Sequence, residues 1–262
     1  MGVRRGRAAF EGLTRRRAYA VAACDAAEPR KNPGGHYADD MANVLSVNLA
    51  HVRSNPDSRA ASTSTGIDKV PTDEPVMVRA PGPMHGGEGS GLVGDTIGNH
   101  KVHGGDDQAV YAYAREDLDA WETRLGRSLT NGTFGENLTT AGVDVTGALV
   151  GERWLVGTDG LMLEVSAPRI PCRTFAAFLE LDGWIKTFTK AAIPGAYLRV
   201  ITPGRVRADD TITVESRPDH DVTIGMVFRA ELTEPELLPR LLAADALPEE
   251  LKEHISRRLA GS

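Results

Sequence analysis

The chain is expected to be mainly β: a β-barrel with peripheral helices, followed by a small α-helical domain. Three observations point there: short β-branched or alternating runs dominate after Met41, turn residues separate them, and helical spacing takes over after Arg217. Regular helical crossovers between the strands are lacking, which argues against a doubly wound sheet.

In order, strands are expected at 44–52, 76–79, 108–113, 153–156, 161–165, 196–202 and 211–215. "GTDG" (157–160) and "TPGR" (202–205) between them are turn chemistry. Residues 53–75 and 81–91 read as polar loops rich in Gly and Pro. "GGEGSG" (86–91) lacks the preceding strand and following helix of a dinucleotide loop, so it too is expected to be a loop. One helix interrupts the pattern at "AREDLDAWETRLG", where Leu118, Trp121 and Leu125 form a stripe and Gly126 is the stop. Its apolar stripe is expected to seal one side of the barrel. Behind Arg217, "TIGMVFRAEL", "EPELLPRLLAA" and "LPEELKEHISRRLA" predict three short helices within 222–262. Leu237, Leu238, Leu241 and Leu242 lie on one stripe, and Leu251, Ile255 and Leu259 on another. Helices this short need a surface to dock on, either the barrel or a second subunit.

The 262 residues carry a formal net charge of −6, and 41% are hydrophobic, the profile of a globular chain with a real core. That charge gives no electrostatic case for nucleic acid. The apolar runs are broken by charge well short of the ~20 residues a membrane helix needs, so no span is expected. Residues 1–40 open with Arg4, Arg5 and Arg7 and contain "AYAVAACDAA". That apolar run ends at Asp25, at the lower limit of the roughly 7–15 residues of a signal peptide. Met41 is the alternative start, which would leave 1–40, with Cys24, as a dispensable extension. Two cysteines, Cys24 and Cys172, allow at most one disulfide, and a reducing cytoplasmic setting fits best.

Four constellations carry candidate chemistry. In "KVHGGDDQAVYAY", Lys101 and His103 precede Gly104 and Gly105. The glycines permit a close ligand approach while the flanking side chains offer charge or protons; the plain alternative is a solvated glycine turn. In "GTFGENLTT", Glu136 and Asn137 could read a heterocycle's hydrogen-bonding edge or act on protons, or they could simply form a turn and a capped strand. In "EVSAPRIPCRTF", Pro168 and Pro171 force the chain out of the sheet, which places Cys172 at a strand-to-helix rim between Arg169 and Arg173. The cations favour a thiolate; a lone cysteine is otherwise a small buried hydrophobe. In "IPGAYLRVITPGRVRADD", Arg199 either meets an anionic ligand or is a structural arginine on an alternating strand. The seven histidines are scattered without HxxxH or HExxH spacing, there is no paired CxxC, and neither GxSxG nor a P-loop occurs.

Taken in order, "KVHGGDDQAVYAYAREDLDAW", "GTFGENLTTAGVDV", "ALVGERW", "LEVSAPRIPC" and "GAYLRVITPGRV" resemble the MOSC family, named after the C-terminal domain of molybdenum cofactor sulfurases. The resemblance is to its bacterial stand-alone branch, whose small helical domain often follows the barrel, and it runs from Met41 to Arg217. It implies a MOSC-type β-barrel over 41–217 and a pocket for the molybdenum cofactor, with Cys172 as the protein ligand to Mo and a catalytic residue. It further implies that Lys101, His103, Glu136 and Asn137 lie near the pocket, and that the arginines, Arg169 among them, serve the cofactor's phosphate. Relatives of this branch reduce N-hydroxylated compounds such as hydroxylaminopurines. The implied reaction is oxygen-atom removal from a small-molecule substrate. Its electrons are expected from a separate reductase, because two cysteines cannot furnish a [2Fe–2S] cluster. Pyridoxal phosphate is not expected, since it belongs to the aminotransferase-like domain of eukaryotic sulfurases. Two other roles fit the same residues: a sulfur or cofactor carrier using a Cys172 persulfide, and a non-catalytic binding module. A homodimer through the helical tail is a further expectation. The extension 1–40 and Ala208, where the family often has glycine, depart from the pattern without touching the motif residues.

Overall fold

The computed structural model describes residues 42–261; the expectations for 1–40, Met41 and Cys24 fall outside the described residues. In chain order the strands are β1 (Asn43–Ala50), β2 (Arg53–Ser54), β3 (Ser64–Thr65), β4 (Lys69–Thr72), β5 (Val76–Val78), β6 (Val110–Ala114), β7 (Leu138–Ala141), β8 (Arg153–Val156), β9 (Leu161–Pro168), β10 (Ala196–Thr202), β11 (Gly204–Val206) and β12 (Ile212–Ser216). The helices are α1 (Arg115–Leu125), α2 (Arg173–Leu179), α3 (Trp184–Ala191), α4 (Ile224–Leu232), α5 (Leu238–Leu241) and α6 (Glu249–Ala260).

Eight strands form one sheet in the order β12-β8-β9-β10-β6-β7-β1-β4. β6 and β7 pair in parallel and the other neighbours run antiparallel. The sheet curls so that the start of β1 meets the lead-in to β12. Val44 N–H donates to Asp210 O (2.9 Å), Asp209 N–H to Val44 O (2.8 Å) and Ile212 N–H to Ala42 O (2.7 Å). These bonds occupy a sheet edge that would otherwise stand open.

Alternation divides the strands between two cores. Val110, Ala112, Leu198, Leu163 and Trp154 turn into the barrel interior. Tyr111, Tyr113 and Tyr197 point to the opposite face and join an aromatic cluster with Trp121, Phe134, Phe175, Trp184, Phe188 and Phe228. α1 ends as expected: Gly126 takes φ 63° and donates its N–H to Glu122 O, while Leu118 and Trp121 are buried in the aromatic cluster.

The structure corrects three expectations. Residues 53–75 are not all loop, because β2 pairs with β3 and β4 extends the large sheet beside β1. The strand expected from Gln108 begins two residues later, after a 3₁₀ turn at Asp106–Gln108. α3, which no helical stripe had indicated, buries Trp184 and Phe188. The C-terminal helices dock on the sheet: Ile224, Val227, Leu241 and Ile255 belong to the same apolar core as the strands.

Candidate functional site

A cavity of about 450 Å³ lies on the aromatic face of the sheet. Tyr111 and Tyr197 are register partners on β6 and β10, and their ring centroids are 5.1 Å apart. Together they form one wall. Residues 55–67 and 95–104 supply much of the rest.

Five of the residues singled out in the sequence meet in this cavity: Cys172, Arg169, His103, Gly104 and Asn137. β9 ends at Pro168, and Cys172, extended at φ −126°, precedes the first residue of α2 with a free thiol. Its side chain makes no capping hydrogen bond, so the sulfur is not committed to the helix end. Arg169 is 7% exposed; it donates to Phe134 O and lies 4.0 Å above the Phe175 ring. Burial opposes its charge, but Tyr111, Tyr197 and Cys172 outweigh that and raise its pKa. Among the described residues no carboxylate lies within ion-pair distance of Arg169. The cavity therefore holds a buried positive charge without a carboxylate partner.

His103 behaves differently. Burial, aided by the Arg169 charge, pushes its pKa down to about 4 against a hydrogen bond with Gln108. It stands neutral at pH 7 and offers a ring nitrogen rather than a charge.

Asn137 is anchored at both ends of its amide. Its Oδ1 accepts from Tyr111 N–H (3.1 Å) and its Nδ2 donates to Asp95 Oδ2 (2.9 Å). Little of it is left to read a ligand, so its position shapes the wall. Gly104 and Gly105 have φ of 90° and 80°, a region L side chains avoid. A Cβ on Gly104 would stand 2.7 Å from Gly89 O, and one on Gly105 2.6 Å from Met84 N. The two glycines thus admit the neighbouring 84–89 loop.

Four expected residues lie elsewhere. Glu136 is fully buried behind the wall, where it accepts from Gly132 N–H (2.5 Å), Phe134 N–H (2.9 Å) and Thr139 Oγ1 (2.9 Å). Desolvation raises its pKa. Lys101 is exposed and lines a neighbouring groove with residues 61–63 and 98–100. Gly105 packs beside the cavity without lining it. Arg199 donates to Asp107 Oδ1, to Glu164 Oε1 (3.2 Å) and to Ala246 O (2.7 Å), joining the sheet to the C-terminal segment.

Sequence reasoning missed a buried ion pair at the base of the cavity. Lys69 Nζ donates to both oxygens of Asp95 at 2.6 and 2.7 Å, and the two side chains are 8% and 2% exposed. Asp95 also accepts from Ala50 N–H (2.9 Å) and Ser90 Oγ (2.7 Å). Burial opposes its ionisation, yet Lys69, Ser90 and Asn137 hold its carboxyl below the usual range. Burial pulls Lys69 down. The signal lay in "GIDKVP" and "GDTIG", but neither stretch carries a recognisable ligand spacing.

The fold is a curled, mainly antiparallel sheet with a free cysteine where one strand leaves it, facing a cavity with a buried guanidinium. Residues 99–213 match the model of the MOSC domain. Over that stretch the chain carries a MOSC domain. It is 29% identical over 209 residues to YflK of Bacillus subtilis (strain 168), covering 79% of this chain and 89% of YflK. It is 32% identical over 139 residues to YiiM of Escherichia coli (strain K12), covering 51% of this chain and 60% of YiiM. A protein of Gibberella moniliformis named "Reductase" is 30% identical over 158 residues, covering 59% of this chain but 26% of that protein. The crystal structure of YiiM from Geobacillus stearothermophilus superposes with a TM-score of 0.65 at 25% identity, covering 83% of this chain and 99% of that one. Among the described residues no helix is long and apolar enough to cross a membrane.

Proposed function

We propose that this chain is a cytoplasmic, molybdenum-cofactor-binding reductase of N-hydroxylated compounds of the hydroxylaminopurine type, supplied with electrons by a separate reductase. The carrying observation is the free Cys172 thiol in the cavity beside buried Arg169, whose charge has no carboxylate partner among the described residues. That charge suits a thiolate and an anionic ligand. No group of three His, Cys, Asp or Glu side chains converges among the described residues. A metal held here through Cys172 therefore fits one already chelated by its own cofactor, and a soft thiolate suits such a metal. A cavity of about 450 Å³ is also in the range of cofactor sites. The name of the Gibberella relative agrees with a redox role.

Bound there, the cofactor supplies two-electron chemistry that removes oxygen from an N–O bond: R–NHOH + 2 e⁻ + 2 H⁺ gives R–NH₂ and H₂O. Cys172 holds it, Arg169 balances the negative charge of thiolate and cofactor, and Asp95 fixes the wall through Lys69 and Asn137. Neutral His103 offers a hydrogen bond, and Tyr111 and Tyr197, tilted 42° to each other, line the cavity with aromatic surface for a heterocycle.

The test is amine formation from 6-hydroxylaminopurine by Mo-loaded protein given a reductase and NADH. Turnover by the wild type that falls at least about a hundredfold in Cys172→Ala is expected, the size of effect seen when a catalytic group is removed. Mo-loaded protein that leaves the substrate unchanged with a competent electron donor rejects the activity. A Cys172 persulfide seen by mass spectrometry in inactive protein would instead favour a sulfur carrier.

A further inference from the structure

We propose that the strap joining β2 to β3, residues 55–63, is a lid on the Cys172 cavity, latched to the first turn of α2 by Arg173 and Thr174. The strap and its two short strands form a sheet of their own, separate from the large one. Asn55, Asp57, Arg59 and Ser62 line the cavity from the strap side. Three contacts hold it down. Arg173 Nε lies 3.0 Å from Asp57 Oδ2, Arg173 Nη2 donates to Arg59 O (3.1 Å), and Thr174 Oγ1 donates to Asn55 Oδ1 (3.4 Å).

The anchoring residues directly follow Cys172, so the strap's position and access to the thiol are linked. The latch is weak enough to open. Arg173 is 51% exposed, so water can solvate its charge, and Asp57, 8% exposed, keeps the Arg59 N–H (3.1 Å) on Oδ1 when Arg173 leaves. The base of the strap is held separately: Arg53 Nη1 donates to Asp68 Oδ2 (3.1 Å), and Asn55 N–H donates to Thr63 O (2.9 Å). Release of the latch therefore swings the strap without unravelling its hairpin.

The lid does not depend on which cofactor binds, so it is tested on the full chain without one. In a Cys24→Ala background the thiol reagent reports Cys172 alone. The modification rate is measured with small iodoacetamide and with bulky fluorescein maleimide, and the ratio of the two rates cancels the intrinsic reactivity of the thiol. In the parent protein the bulky reagent is disfavoured. In both Arg173→Ala and Asp57→Asn the bulky reagent gains by roughly threefold relative to the small one, the scale of one exposed ion pair. A ratio that stays at the parent value in both variants overturns the lid. A change confined to Arg173→Ala overturns it as well, because that change traces to the residue beside the thiol and not to the strap. Thermal unfolding checks that both variants remain folded.

Discussion

The two sides of the cavity are built by opposite means. At its base, Asp95 collects four donors, from Lys69, Ala50, Ser90 and Asn137, and behind it Phe134 sits among five aromatic rings within 6.2 Å. At its mouth, the strap rests on three contacts to Arg173 and Thr174. The base is buried, so a deletion there leaves either an unpaired polar group or a void. At the mouth Arg173 is half in water, which replaces much of what a deletion removes. A site that must hold a ligand in register and still admit it gains from this division.

The largest effects should come from the base. Asp95→Ala strands the Lys69 ammonium in a buried site and should cost about 3–5 kcal/mol in urea unfolding. Asp95→Leu combined with Lys69→Met should recover most of that loss, since an apolar pair leaves no charge unpaired. Phe134→Ala empties the centre of the aromatic cluster and should cost a comparable ~3–5 kcal/mol.

A smaller effect should show in the pH dependence. His103 is held near pKa 4 in the fold, against roughly 6.5 in an unfolded chain. Between those values the unfolded state binds the extra proton, so stability falls as pH drops from about 6.5 towards 4 and is flat above that window. His103→Gln should lack this component in thermal unfolding measured across the window.

The smallest effect belongs to the mouth: Arg173→Ala should change stability by less than about 1 kcal/mol. If it matched Asp95→Ala, the contrast between base and mouth would be broken.

What was legible in the sequence follows from local rules. Gly126 and the Leu118–Trp121 stripe marked α1 because cap and periodicity lie within one helix. Pro168 and Pro171 placed Cys172 at the rim because a proline's effect is confined to its neighbours. Lys69 and Asp95 were invisible because 26 residues separate them and a polar loop disguises both; their meeting depends on β4 pairing with β1. α3 was missed because its eight residues carry one turn's worth of apolar pattern, Trp184 and Phe188, directly after Gly183. Glu136 and Arg199 show the converse: residue type flagged them as chemical, whereas their partners are Gly132, Phe134 and Thr139 in one case and Glu164, Asp107 and Ala246 in the other.

The central claim is that Cys172 holds the molybdenum cofactor in this cavity. Its most direct test is the molybdenum content of wild-type and Cys172→Ala protein purified from a host that makes the cofactor. One Mo per wild-type chain, lost in the variant while the fold persists, is the predicted result. A variant that retains its full complement of Mo, or a wild type that carries none, would contradict it.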